Sequence, residues 1–312
     1  MGLSTEEYIT SADLHLRANI EIMERFPEIL FFPGFWVERG MAAEPSGFGA
    51  KVEYYRDQPP TIRHFMDDIR EVDQLVQPNP LTDGLMPGIL KQYREILPGL
   101  HERGLDIHIV AARGPMTLAT YLMGVTDFLI ALKTEPALTH RLMRITTRMV
   151  GEWIDAQAQN LPSVKGLFIL DDIIGFLSEE DYLEFAHPYF QEIFSVPMTV
   201  KALHNDTPNP VSFRHIADLG VNIFNFTHLV PIPELRQMVG DSVVLMGNIS
   251  PLDIMVNGGY QDVYDAAEGC IRENRDHPRF LLSAGGGVSM GTPESSIRAI
   301  IDAVSAAKGG ST

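Results

Sequence analysis

The chain has 312 residues, 45% of them hydrophobic, a formal net charge of −17 and a single cysteine. That charge excludes sequence-independent nucleic-acid binding, which needs clustered Lys and Arg against phosphate, and it would repel an anionic membrane surface. The lone Cys270 excludes an intramolecular disulfide and an all-cysteine metal site.

No apolar run approaches the roughly 18 residues of a membrane span. The N-terminus, MGLSTEEYITSADLHLRANIEIMERF, has neither a basic stretch leading into an apolar one nor an Arg-rich character, so the expected location is the cytoplasm. Ser4 to Arg25 read as a first helix: Ser4 and Glu7 have capping-box spacing, and Tyr8, Ala12, Leu16, Ile20 and Met23 recur at helical intervals. EILFFPGFW (28–36) reads as a short strand that breaks at Pro33 and Gly34. A long Gly- and Pro-punctuated loop with several aromatics follows, of the kind that is usually functional.

Beyond it, strand-like runs alternate with helical ones. A weak strand at VDQLVQPNP (72–80) is followed by IHIVAAR (107–113), GLFILDD (166–172), PMTVKALHND (197–206), VNIFNFTH, SVVLMGNIS and FLLSAGGG. Between them lie TLATYLMGVTDFLIAL, TEPALTHRLMRITTRMVGEWIDAQAQN, a helix capped at Ser178, and segments carrying SFRHIADL, PELRQMV and YQDVYDAAEGCIRENR. A last helix starts at Thr292 with Pro293 in its first turn. Alternation of this kind implies parallel strands joined by crossovers. About eight strands predict an α/β fold, a (β/α)8 TIM barrel forming one domain over 1–312 with an N-terminal helical extension.

Polar residues gather where these strands end. Asp171 and Asp172 close one strand, His204, Asn205 and Asp206 the next, then Asn225 with His228, Asn248, and Gly285 to Gly287. In a barrel such ends ring one cavity, where active sites lie, although strand ends also need Asp, Asn and Gly for their turns. Adjacent residues point to opposite faces, so at most one of Asp171 and Asp172 is expected to face the cavity and the other to cap or brace the following helix. His204 and Asp206 share a face, a spacing that suits metal ligation or a histidine oriented by a carboxylate. The glycine run either cradles an anion or allows close backbone approach. The helix around Met143, Met149 and Trp153 reads as core, and Cys270 as buried and inert.

RGPMTLATYLMG (113–124), DDIIGFLSEEDYLEFAHPYFQEI (171–193), LHND followed by MGNISP (246–251), and AGGGVSMGTPESSIRAII together resemble the uroporphyrinogen decarboxylase superfamily, from about residue 75 to 305. That superfamily also contains corrinoid-dependent methyltransferases. Its decarboxylases have an N-terminal segment like Met-Arg-Gln-Ala-Gly-Arg-Tyr, whose arginines hold substrate carboxylates. Here FFPGFWVERGMAA offers only Arg39, which disfavours a polycarboxylate tetrapyrrole. Its thiol-methylating zinc enzymes resemble His-x-Cys with a later Cys, where this chain has His204, Asp206 and Gly286, so thiol methylation is disfavoured too.

The resemblance therefore implies a third branch: methyl transfer from a small donor, such as a methoxylated aromatic or a methylamine-like compound, to a corrinoid protein. It implies catalytic Asp171, Asp172 and His204, and substrate contacts from Trp36, Arg39, Asn205, Asn225, Asn248 and Gly286. It also implies zinc or another divalent metal on His204 and Asp206. Cobalamin would be carried by the partner, since no Asp-x-His-x-x-Gly motif is present. A decarboxylase or lyase of a small acid, a non-catalytic ligand-binding barrel, and a homodimer stay open.

Overall fold

The computed structural model describes residues 2–309. Its contacts fall into two compact units, Met1–Asp171 with Leu183–Thr199, and Asp172–Tyr182 with Val200–Thr312.

In the first unit the expected opening helix is two, Thr5–Thr10 and Ala12–Arg25. The Ser4–Glu7 capping box starts the first. Ser11 ends it in an extended conformation and accepts the Leu14 N–H to start the second. A serine side chain thus competes with the helix ladder and wins. His15 on the second helix is 1% exposed and its Nε2 has no hydrogen-bond partner. Burial, with the positive charge of Arg39, pushes it from its ordinary 6.5 down to about 4. It therefore folds in neutral, and its share of stability is lost as pH falls from about 6.5 towards 4, on the order of 3 kcal/mol. Urea midpoints at pH 7 and pH 4.5 should diverge by less in His15→Gln than in the native chain.

The stretch around Ile29 to Trp36 forms no strand. Pro33 lacks a donor, Gly34 sits at φ +99°, and the Trp36 N–H turns back to the Gly34 carbonyl at 2.7 Å. The long loop after it contains a short helix, Ala43–Gly47, and a hairpin of β1 (Lys51–Glu53) and β2 (Thr61–Arg63), paired antiparallel. The weak strand at 72–80 is also absent. A 3-10 turn, Ile69–Gln74, occupies its start, because Asp68 and Glu71 cap each other's backbone. The parallel pair of this unit is β3 (Ile109–Arg113) and β4 (Gly166–Leu170), registered Ile109 to Gly166. Between them run Pro115–Met123, Val125–Thr134 and the 25-residue Pro136–Asn160. The run read as one helix bends at Gly124, φ +89°, which only glycine adopts at ease. Among the described residues no single helix is long and apolar enough to cross a membrane; that pair passes only jointly and is bent by 105°.

In the second unit β5 (Val200–Asn205), β6 (Ile223–Phe226), β7 (Val244–Ile249) and β8 (Phe280–Ala284) pair in parallel in chain order. Helices Ile232–Val239, Tyr260–Glu273 and Glu294–Gly309 complete the β–α alternation. The segment read as a helix through SFRHIADL is only a 3-10 turn, Ser212–His215. Ile249, Met255, Val263, Ala267, Ala284 and Ala299 form the core beneath the last two helices. Parallel strands alternating with helices make the fold α/β.

Candidate functional site

The second unit assembles most of the expected site residues from the ends of β5 to β8. In the β5–β6 register His204 lies opposite Asn225, and in β6–β7 Asn225 lies opposite Met246. The side chains bond along the same row. Asn225 donates from Nδ2 to the Met246 carbonyl at 2.9 Å, which turns its Oδ1 towards His204 Nδ1 at 2.6 Å. That geometry assigns the imidazole proton to Nδ1 and leaves Nε2 facing Asp172 Oδ1, 3.6 Å away. Asp172 Oδ1 also accepts the Asp206 N–H at 2.7 Å.

Asp206 is exposed on one side and packed on the other. A Cβ at residue 286 would stand 2.7 Å from its Oδ2, and Gly286 has φ +95°, so a side chain there meets both a clash and backbone strain. Loss of hydration on its packed side holds the Asp206 carboxyl above its ordinary range, and the Asp172 charge adds to this. His204 and His228 oppose it. The neighbouring Gly285 is fixed by the backbone of His228, whose N would lie 2.5 Å from an added Cβ. The glycine run therefore permits close backbone approach.

Other expected site residues have different work. Asp171 is 1% exposed, and its Oδ2 accepts the N–H groups of Met116 and Thr117 at 3.0 Å each. This carboxylate braces the start of Pro115–Met123 and is not presented to a substrate. Asn205 is fully buried: Nδ2 donates to Ser212 and Oδ1 accepts from the Thr207 backbone and hydroxyl. It holds a turn, so the expected substrate contact is replaced by a bracing one. Asn225, 3% exposed, orients His204. Asn248 donates to the Val230 carbonyl at 2.9 Å and faces the Cys270 thiol.

Metal ligation by His204 and Asp206 lacks its third member. Among the described residues no group of three or more His, Cys, Asp or Glu is disposed to hold a metal ion. These residues do not fit a zinc centre of the thiolate kind.

In the first unit Trp36 and Arg39 belong to a tied cluster. Arg39 donates to Gln92 Oε1 at 2.5 Å and to the Glu38 carbonyl. The Arg113 guanidinium lies 5.4 Å from the Trp36 ring centre, bonds Glu38 at 2.6 Å and the Gly40 carbonyl at 3.2 Å. The Arg113 N–H donates to Glu44, a 3% exposed carboxyl that burial pushes upward. Sequence reasoning passed over Arg113, Glu38 and Glu44. Their signal was an arginine closing β3, opposite Leu170 at the end of β4.

Parallel strands, six among the described residues where about eight were expected, alternate with helices and present polar side chains at their carboxyl ends, an α/β scaffold of TIM-barrel type. A solved methyltransferase from Methanosarcina mazei matches it with a TM-score of 0.82 at 18% identity, covering 98% of this chain and 89% of that one. The chain belongs to the uroporphyrinogen decarboxylase (URO-D) family, whose sequence model matches residues 1–307. Its relatives include uroporphyrinogen decarboxylase of Thermus thermophilus, 24% identical over 83% of this chain and 75% of that protein. Another is methylated-thiol–coenzyme M methyltransferase of Methanosarcina mazei, 26% identical over 84% of this chain and 70% of that protein. Members of this family are enzymes.

Proposed function

We propose that this chain moves a methyl group from a small methylated donor to a corrinoid protein, with Asp172, His204 and Asp206 meeting the donor. The observation that carries the reading is the fate of the arginines in the first unit. Arg39 and Arg113 are bonded to Gln92, Glu38 and backbone carbonyls, which leaves that segment without a clamp for a polycarboxylate. The methyltransferases among the similar proteins support it further.

Methyl transfer to cobalt(I) requires an atom that leaves the carbon without negative charge. A metal, a proton or the donor's own charge can meet that need. The donor set here does not make a metal site, so the reading assigns no step to one. Asn225 keeps a proton on His204 Nδ1, and the Asp206 carboxyl, held above its ordinary range, can place a proton on a departing oxygen or nitrogen. Asp172 holds Asp206 through its N–H. The same upward shift of Asp206 favours a second reading, a carboxy-lyase of a small acid, in which this carboxyl protonates the carbanion left by carbon dioxide.

The purified protein is expected to methylate reduced corrinoid, followed by its absorbance, with at least one donor from a panel of methoxylated aromatics, methylamines including quaternary ones, methyl sulfides and methyl sulfoniums. No methylation across the panel would sink the methyltransferase reading. Carbon dioxide release from a small acid without corrinoid would put the lyase in its place.

A further inference from the structure

The loops that follow strand ends in the second unit are short of positive charge. Residues 172–182, 206–211, 227–231, 250–259 and 285–293 contain no Lys or Arg, yet they carry Asp172, Glu179, Glu180, Asp181, Asp206 and Asp253. Arg214, in the turn after β5, lies 3.8 Å from Glu179. At the site itself two carboxylates meet imidazoles, which carry charge only when protonated. His204 presents Nε2 to Asp172 Oδ1 at 3.6 Å, and its Nδ1 lies against Asn225.

The same loops expose large apolar side chains: Phe176 is 61% exposed, Leu229 62%, Val288 60% and Met290 77%. A hydrated metal ion has no use for apolar side chains on the same loops as the carboxylates, whereas an alkylated cation does. Fixed negative charge beside apolar surface is the chemistry that recognises alkylammonium and alkylsulfonium groups.

Resting on the methyl-transfer reading, we infer that Asp172 and Asp206 select a methyl donor with a permanent positive charge, a quaternary ammonium or a sulfonium. In that transfer the carbon–nitrogen or carbon–sulfur bond breaks with its electron pair on the heteroatom. The electron pair of cobalt(I) in the corrinoid substrate forms the new bond to carbon, and cobalt rises formally to the three-valent state. The donor leaves as a neutral tertiary amine or sulfide. No proton moves, so neither a metal nor a general acid is required. Asp206 is kept in place by Gly286 behind it and Asp172 beside it, which makes it a specificity-determining residue.

Choline and its neutral isostere 3,3-dimethylbutan-1-ol differ only in nitrogen for carbon at the trimethylated centre, so together they isolate the charge. Calorimetric titration of the whole chain at fixed ionic strength, without corrinoid, should show choline binding at least about tenfold tighter. Asp206→Asn and Asp172→Asn, near-isosteric changes whose thermal midpoints report folding, should each shrink that preference to about threefold or less. Equal binding of the two compounds, no binding of either, or a preference that survives both variants would overturn the inference. Because no corrinoid is present, these outcomes stand apart from failure of methyl transfer itself. Loss of the preference leaves transfer from a neutral ether open. A preference without any transfer overturns only the wider reading.

Discussion

Asp171→Ala is expected to destabilise the chain by about 3–5 kcal/mol, read as a lower urea midpoint at unchanged slope. The helix Pro115–Met123 begins at Gly114, which has no side chain to cap it. Its first N–H groups would be orphans inside the protein, since Met116 is fully buried and Thr117 is 7% exposed. Asp171 supplies one oxygen to both, with a negative charge at the positive end of the helix. Alanine leaves two buried donors unmade at about 1–3 kcal/mol each. Asparagine retains an acceptor of the same shape, so Asp171→Asn should cost only about 1–2 kcal/mol. Gly114→Ala makes the same point from the other side, because its Cβ would lie 2.3 Å from Asp171 Oδ2. A stable Asp171→Ala protein that had lost turnover would return this residue to the catalytic set.

The sequence made the scaffold legible because strand length and helical period are local properties. Each of the six parallel strands lies within a run recognisable by its apolar residues, trimmed at the ends by one to three positions. The two candidate strands that failed did so for local reasons that compete with apolar patterning. Pro33 and Gly34 forbid a ladder, and the Asp68–Glu71 caps draw the chain into a 3-10 turn. The site was half legible. Strand-end position drew attention to His204, Asp206 and Asn225, and period-two alternation set Asp171, which braces a helix, apart from Asp172. What sequence cannot carry is the partner across a strand pair. Nothing in the order of residues says that Asn205 is used up by Ser212 and Thr207, that Asn225 faces His204, or that Asp206 fills the space beside Gly286. Arg113 escaped for the same reason: its role depends on Glu38, Gly40 and Trp36, some seventy residues earlier in the chain.

The double replacement Asp172→Asn/Asp206→Asn is expected to lower kcat/KM for methyl transfer from a cationic donor by about 10²–10³-fold, chiefly through KM. Each carboxylate contributes attraction to the donor whether or not the methyl group has begun to move. Its removal is therefore a loss of uniform binding and leaves kcat close to its native value. The two losses will not add. Asp172 holds the Asp206 N–H, and its charge is one of the causes that lift the Asp206 carboxyl above the ordinary range. This coupling has a signed consequence for pH. Asp206 must be ionised to hold a cation, so kcat/KM should fall as pH drops through its raised titration. Asp172→Asn removes one of the raising influences, while the loss of hydration, which is larger, stays. The acid limb should then move to lower pH, but only part of the way to that of an ordinary carboxylate. Were Asp206 instead the proton donor to an ether oxygen, its replacement would act on kcat, and activity would rise as pH fell into the range where the carboxyl is protonated. Rate profiles of the native chain, Asp172→Asn and Asp206→Asn between pH 4 and pH 8 separate the two roles by the direction of a single limb.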